Sequence, residues 1–184
     1  GRWHSATTEF KVKNSGTGSF TTNTIGSSSA KAAPGNFDGD SKTDAAVFSA
    51  GTWTIKNSSN GATQTIAFGQ AGDIPMAGNY DGDAVTDAAI VRPSTGTWWV
   101  RESSTGYIIP HGVLGTGDIA VPGDYDGDGK TNIAVYRPST GVWSIYGGPG
   151  GTVTYTWGTG SDIPVPADYD GANKTDVAVY RRTT

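Results

Sequence analysis

The chain has 184 residues, enough for one domain with its own core, a formal net charge of −4, 35% hydrophobic residues and no cysteine. Those figures exclude disulfides, thiol catalysis and Cys-ligated zinc. The scattered Lys and Arg residues give no basic face for nucleic acid, and no apolar run approaches the length needed to insert into a membrane.

In chain order, residues 1–7 read as an N-terminal arm carrying Trp3. Residues 8–25, "TEFKVKNSGTGSFTTNTI", read as two strands. From residue 30 a pattern of about 44 residues begins and recurs over 30–67, 73–114 and 118–157, with a partial copy at 162–182. Each copy opens with a small-residue strand (A), as in "DIPMAG", "DIAVPG" and "DIPVPA", and continues into a polar loop. The loops are "NFDGDSKTD" from Asn36, "NYDGDAVTD" from Asn79, "DYDGDGKTN" from Asp124 and "DYDGANKTD" from Asp168. An apolar strand (B) follows: "AAVFS", "AAIVR", "IAVYR" or "VAVYR". Next come an aromatic strand (C), with Trp53, Trp98 and Trp143 at one shared position, and a strand (D) ending in Gly.

The runs are short, β-branched and aromatic, and bounded by Gly, Pro, Ser and Asn, with no sustained helical period. They predict strands throughout. The B–C connection "RPSTG" predicts a tight hairpin. Four antiparallel strands in about 44 residues match one blade of a β-propeller. Residues 8–25 align with strands C and D, Phe10 falling on the shared Trp position, and the chain closes with strands A and B. The expected fold is therefore all-β: a four-bladed β-propeller whose fourth blade is split between the two ends. A two-stranded sheet is marginal alone, so the halves are expected to pair, within one chain as a ring or between chains as a polymer.

Twelve of the fifteen Asp lie in the loops, at positions 1, 3, 5 and 9 together with Asn. The side chains are Asn36, Asp38, Asp40 and Asp44; Asn79, Asp81, Asp83 and Asp87; Asp124, Asp126, Asp128 and Asn132; and Asp168, Asp170 and Asp176. Position 7 offers a backbone carbonyl, from Lys42, Val85, Lys130 or Lys174. All-oxygen ligands at alternate positions of a curling loop suit Ca²⁺ better than Mg²⁺, which demands rigid octahedral geometry and keeps its waters. A bare Asp-Gly hairpin turn would account for one such loop. Three near-complete copies, whose carboxylates repel without a cation, favour metal. The expectation is three strong sites and a weaker fourth, where Ala172 replaces Asp.

The run D-x-D-G-D-G-x-x-[DN] after a small-residue strand resembles the FG-GAP repeats of integrin α-subunit propellers and the related VCBS-type repeats of bacterial secreted proteins. "AFGQAGDIPMAGNYDGD" at 66–83 carries the Phe-Gly and the spaced Ala-Gly of that pattern. The resemblance spans about residues 8–182 and implies calcium-binding propeller blades. It leaves open the roles such repeats serve: adhesion, sugar binding, enzyme appendages and spacers.

The other three Asp each precede an Arg by 19 residues: Asp73 and Arg92, Asp118 and Arg137, Asp162 and Arg181. Asp begins strand A and Arg ends strand B, so antiparallel pairing predicts cross-strand salt bridges. Repeat one has lost both partners, to Ala30 and Ser49, which avoids stranding one charge. The two His, at 4 and 111, occupy non-equivalent positions, and no catalytic motif accompanies them; the chain reads as a non-enzyme. Trp99 and Trp157 stand off the regular aromatic position and, with Trp3, are candidate partner contacts. The expected role is an extracellular, calcium-binding module for adhesion or for binding a glycan or protein ligand. The alternative is a structural subunit of a fibre or surface layer, joined to other copies through half-blades or the N-terminal arm.

Overall fold

A computed structural model describes residues 8–148 and 150–182; Trp3 and the arm lie outside them. Every regular element is a strand. β1 (Glu9–Lys13) and β2 (Phe20–Thr24) form a two-stranded antiparallel sheet. Three four-stranded sheets follow, each in simple sequential order. They are β3 (Lys31–Ala32), β4 (Ala45–Ser49), β5 (Thr52–Lys56) and β6 (Thr63–Ala67); then β7 (Ile74–Pro75), β8 (Ala88–Arg92), β9 (Thr97–Arg101) and β10 (Ile108–Gly112); then β11 (Ile119–Ala120), β12 (Ile133–Arg137), β13 (Val142–Gly148) and β14 (Gly151–Thr156). β15 (Ile163–Pro164) and β16 (Val179–Tyr180) form the last two-stranded sheet. The fold is thus all-β, in several small antiparallel sheets. Among the described residues no helix is long and apolar enough to cross a membrane.

The second strand of each full repeat is buried on both faces. β4, β8 and β12 have four consecutive buried residues each, which is why their sequences are unbroken apolar runs rather than alternations. The third strands alternate, with Trp53 and Ile55, or Trp98 and Val100, turned to one side. Each aromatic sits directly across from a large residue of the strand before it: Phe48↔Trp53, Val91↔Trp98 and Tyr136↔Trp143.

Three clusters form the core, each at a junction between repeats. Ala46, Phe48, Trp53 and Ile55 of the first repeat pack on Ala88 and Ile90 of the second. Ala89, Val91, Trp98 and Val100 pack on Ile133 of the third. Ala134, Tyr136, Trp143 and Ile145 pack on Val177 and Val179 of the last half sheet. The shared Trp position is the centre of each cluster, and all three indoles are fully buried. Trp53 and Trp143 each donate Nε1–H to a carbonyl of the following strand end, at Phe68 (3.2 Å) and Trp157 (2.9 Å).

The two half sheets do not pair: no ladder joins β1–β2 to β15–β16 among the described residues. β1–β2 lies at one end of the stack, with Ile25 buried and Ser27 Oγ 3.5 Å from Ser49 Oγ of repeat one. β15–β16 packs on repeat three. Trp53→Ala is expected to destabilise the protein by about 3–5 kcal/mol, the cost of emptying a large buried site; Tyr180→Ala, at an open end, is expected to cost under about 1 kcal/mol. Urea unfolding of both variants checks this.

Candidate metal centre

Each loop between the first two strands of a repeat curls the same way. The residue before it bridges to position 9: Gly35↔Asp44, Gly78↔Asp87, Gly123↔Asn132 and Ala167↔Asp176. The position-1 side chain then accepts the amide of position 4, as in Asn36 Oδ1 from Gly39 N (2.9 Å) and Asp124 Oδ1 from Gly127 N (2.7 Å). Position 5 accepts the amide of position 7, at 2.8 Å in the first three loops. The position-9 side chain accepts the amide of position 2: Phe37, Tyr80, Tyr125 or Tyr169. Asn132 does this as well as Asp, because only an acceptor oxygen is required.

Two positions in the curl have positive φ. Position 4 is always Gly. Position 6 is Ser41 (φ 66°), Ala84 (φ 68°), Gly129 (φ 83°) or Asn173 (φ 57°), so only the third loop fills both with glycine. A non-glycine residue in this region costs about 1–2 kcal/mol. Position 6 carries no glycine signal in three of the four loops, so the sequence does not mark it.

The resulting oxygen cage fits a hard cation in three loops. Single carboxylate oxygens of Asp38, Asp40 and Asp44, of Asp124, Asp126 and Asp128, and of Asp168, Asp170 and Asp176 lie within 4.8 Å of one another. A cation with oxygens at about 2.3–2.6 Å spans that distance. Among the described residues the carboxylates of Asp81, Asp83 and Asp87 do not form such a group. Burial also pushes the Asp87 carboxyl above its ordinary range.

The loop carboxylates are also less exposed to mutual repulsion than the sequence implied. In repeat one, Ser58 Oγ donates to Asp40 (2.9 Å) and Ser59 Oγ to Asp38 (2.7 Å), while Ser58 N donates to Asp44 Oδ1 (2.7 Å). In repeat two, Ser103 and Ser104 do the same for Asp83, Asp87 and Asp81. The Ser59 hydroxyl holds the Asp38 carboxyl below its ordinary value. These serines come from the hairpin between strands C and D, and the repeated "NSS" and "ESS" were their sequence signal. Repeat three has Gly148 and Pro149 there in sequence instead, and a Cβ on Gly148 would lie 2.9 Å from Asp126 Oδ2. Its loop has glycine at both positive-φ positions.

Neighbouring loops are joined in series. Thr86 N donates to Asn36 O (2.7 Å), Thr131 N to Asn79 O (2.6 Å) and Thr175 N to Asp124 O (2.6 Å). The same threonines press on the residue preceding the earlier loop: a Cβ on Gly35, Gly78 or Gly123 would come within 2.5, 2.8 and 2.7 Å of them. Contacts that short leave room only for glycine. Lys130 reaches back to the Asp81 carbonyl (2.9 Å), and the stem of Lys174 lies over Gly127.

At the far ends of the same strands the structure places Arg92 on Asp73, Arg137 on Asp118 and Arg181 on Asp162. Each pair is bidentate through Nε and Nη2, at 2.7–3.0 Å. Each Asp is buried and also caps the turn before strand A, accepting the amide of Gln70, Gly115 or Thr159. Trp99 is half-buried on the first repeat's core, with Arg92 5.7 Å from its ring centre. It faces the junction because it alternates with Trp98, and it is not an outward aromatic. Trp157 is 57% exposed.

Comparison with protein-family models, curated proteins and solved structures finds no match.

Ala84→Gly is expected to raise stability by about 1 kcal/mol, since glycine removes the left-handed strain, with the gain read as a higher urea midpoint. The Arg181 hydrogen bonds hold the Asp162 carboxyl at about 2, below its ordinary 3.8. A lowered carboxylate pKa stabilises above the unfolded value and is lost as pH falls through the folded one. The melting-temperature difference between the native chain and Arg181→Gln should therefore be constant above about pH 4 and shrink toward pH 2.

Proposed function

We propose that the chain is a non-catalytic, Ca²⁺-binding structural module that works outside cells by assembling with copies of itself. The observation that carries this reading is that the first and last described sheets have two strands each and do not pair with each other. Two half sheets, which by sequence are strands C–D and A–B of one repeat, pack on the first and third full repeats and share no ladder with each other. Residues that are buried in the inner repeats are open at the last one. Tyr169 is 64% exposed where Phe37 is 9%, and Tyr180 is 55% exposed where Tyr136 is fully buried. At the first end a groove of about 680 Å³ beside β1 is lined by Phe10, Val12, Pro34, Thr43 and Ala45. It matches in kind what Tyr169 and Tyr180 would fill. Head-to-tail contacts of this sort build open filaments unless the rotation closes them.

Three of the four oxygen cages support Ca²⁺, as does the resemblance of the loops to FG-GAP and VCBS-type repeats. Bound there, the cation would neutralise the loop carboxylates and tie strand A to strand B. The residues that would hold it are Asp38, Asp40 and Asp44; Asp124, Asp126 and Asp128; and Asp168, Asp170 and Asp176. The millimolar Ca²⁺ of extracellular fluid fills even weak sites of this kind. In this reading the full set of repeats makes a four-bladed arrangement whose split blade is completed by the assembly.

A second reading, adhesion to a glycan or protein ligand, is favoured by the exposed aromatics Tyr107, Tyr155 and Trp157 on the outer strands. The two separate in one experiment. Sedimentation and negative-stain imaging in millimolar Ca²⁺ should give filaments or higher oligomers that dissolve in chelator, with at least two Ca²⁺ per chain by metal analysis. A strict monomer in Ca²⁺ at all concentrations, with a positive glycan screen, would favour the second reading.

A further inference from the structure

The three inner repeats define how a missing strand pair would sit. In each, the aromatic of strand C faces the last apolar residue of strand B, and the ladder continues in fixed register. Applied to the ends, that register puts Phe10 of β1 opposite Tyr180 of β16 and Val12 opposite Ala178, in place of Ile55↔Ala46 and Val100↔Ala89. It also puts Glu9 opposite Arg181. In the inner repeats the residue across from this position is Thr52, Thr97 or Val142. A carboxylate stands there only at the ends, and Arg181 is 56% exposed beside its bridge to Asp162. Two loop contacts extend the match. Ser15 aligns with Ser58 and Ser103, whose amides reach the position-9 carboxylates Asp44 and Asp87, so its amide falls on Asp176. Thr43 aligns with Thr86, Thr131 and Thr175, so its amide falls on the Asp168 carbonyl.

Resting on the self-assembly reading, we propose that β16 of one copy receives β1 of a second copy in this register, with Glu9–Arg181, Phe10–Tyr180 and Val12–Ala178 as facing pairs and the Asp168 loop covered by the neighbour's Thr43. The occupant is a second copy because the chain's own β1–β2, which packs on repeat one, shares no ladder with β16. The junction is also built looser than the inner three. Where Gly35, Gly78 and Gly123 admit the next threonine at under 3 Å from a would-be Cβ, the last loop has Ala167. Its methyl keeps Thr43 from the full approach, so this is the joint at which the array comes apart.

The chain has no cysteine, so introduced ones report cleanly. Chains carrying only Val12→Cys and chains carrying only Ala178→Cys, mixed in Ca²⁺ and oxidised, should give the mixed disulfide dimer. A chain carrying both should give linear oligomers. Glu9→Lys places like charges opposite each other and should raise the concentration needed for assembly about tenfold. Ala167→Gly should lower it. Circular dichroism of Glu9→Lys should match the native chain, since Glu9 touches only Lys11 among charged residues. If the native chain assembles but the mixed disulfide is absent and Glu9→Lys assembles normally, this junction is wrong and the self-assembly reading stands. If the double-cysteine chain closes on itself as a monomer, the occupant is the chain's own strand. If the native chain never assembles, the underlying reading fails with it.

Discussion

A sheet whose central strand is apolar on both sides must be covered on both sides. Everything else in this protein follows from that constraint. β4, β8 and β12 cannot be half-exposed, so each repeat lends one face to the repeat before it and the other to the repeat after. The buried Trp of each sheet is where this stacking is densest. Stability is then shared between neighbours as in other repeat arrays, with no single centre, and the cost of the arrangement is moved to its ends. There Tyr169 and Tyr180 stay in solvent on one side, and Phe10 and Val12 line an unfilled groove on the other.

The acidic loops are part of the same construction. They hold strand A to strand B, and through the threonine amides they also hold one repeat to the next. Position 9 accepts a backbone amide, position 1 closes the first turn, and serines from the neighbouring hairpin engage the rest in two repeats. A cation in such a loop would reinforce a shape that hydrogen bonds already define. The third loop has glycine at both left-handed positions and, among the described residues, no serine hydroxyl over its carboxylates.

Much of this was legible in the sequence because the repeat writes each feature several times. Strand order and the paired Asp and Arg positions rest on three copies each. What escaped notice had a physical reason. Ser58, Ser59, Ser103 and Ser104 lie 18 to 23 residues from the carboxylates they engage, so the repeated "NSS" and "ESS" mark them without saying what they bind. Position 6 hid its strain behind Ser41, Ala84 and Asn173. Trp99 was read as outward because it stands off the aromatic register; a strand sandwiched between two neighbours has no outward face. The ends could be recognised as halves, but only the separate sheets show that each half is held by its own side of the stack.

Hydrogen exchange of the β1 and β16 amides in Ca²⁺, followed as a function of protein concentration, tests the central claim most directly. The account predicts fast exchange in both strands in dilute solution and slow exchange in both once copies meet, with β5, β9 and β13 protected throughout. Protection of β1 and β16 that is already complete in dilute, monomeric protein would mean that the chain closes on itself, and would contradict it.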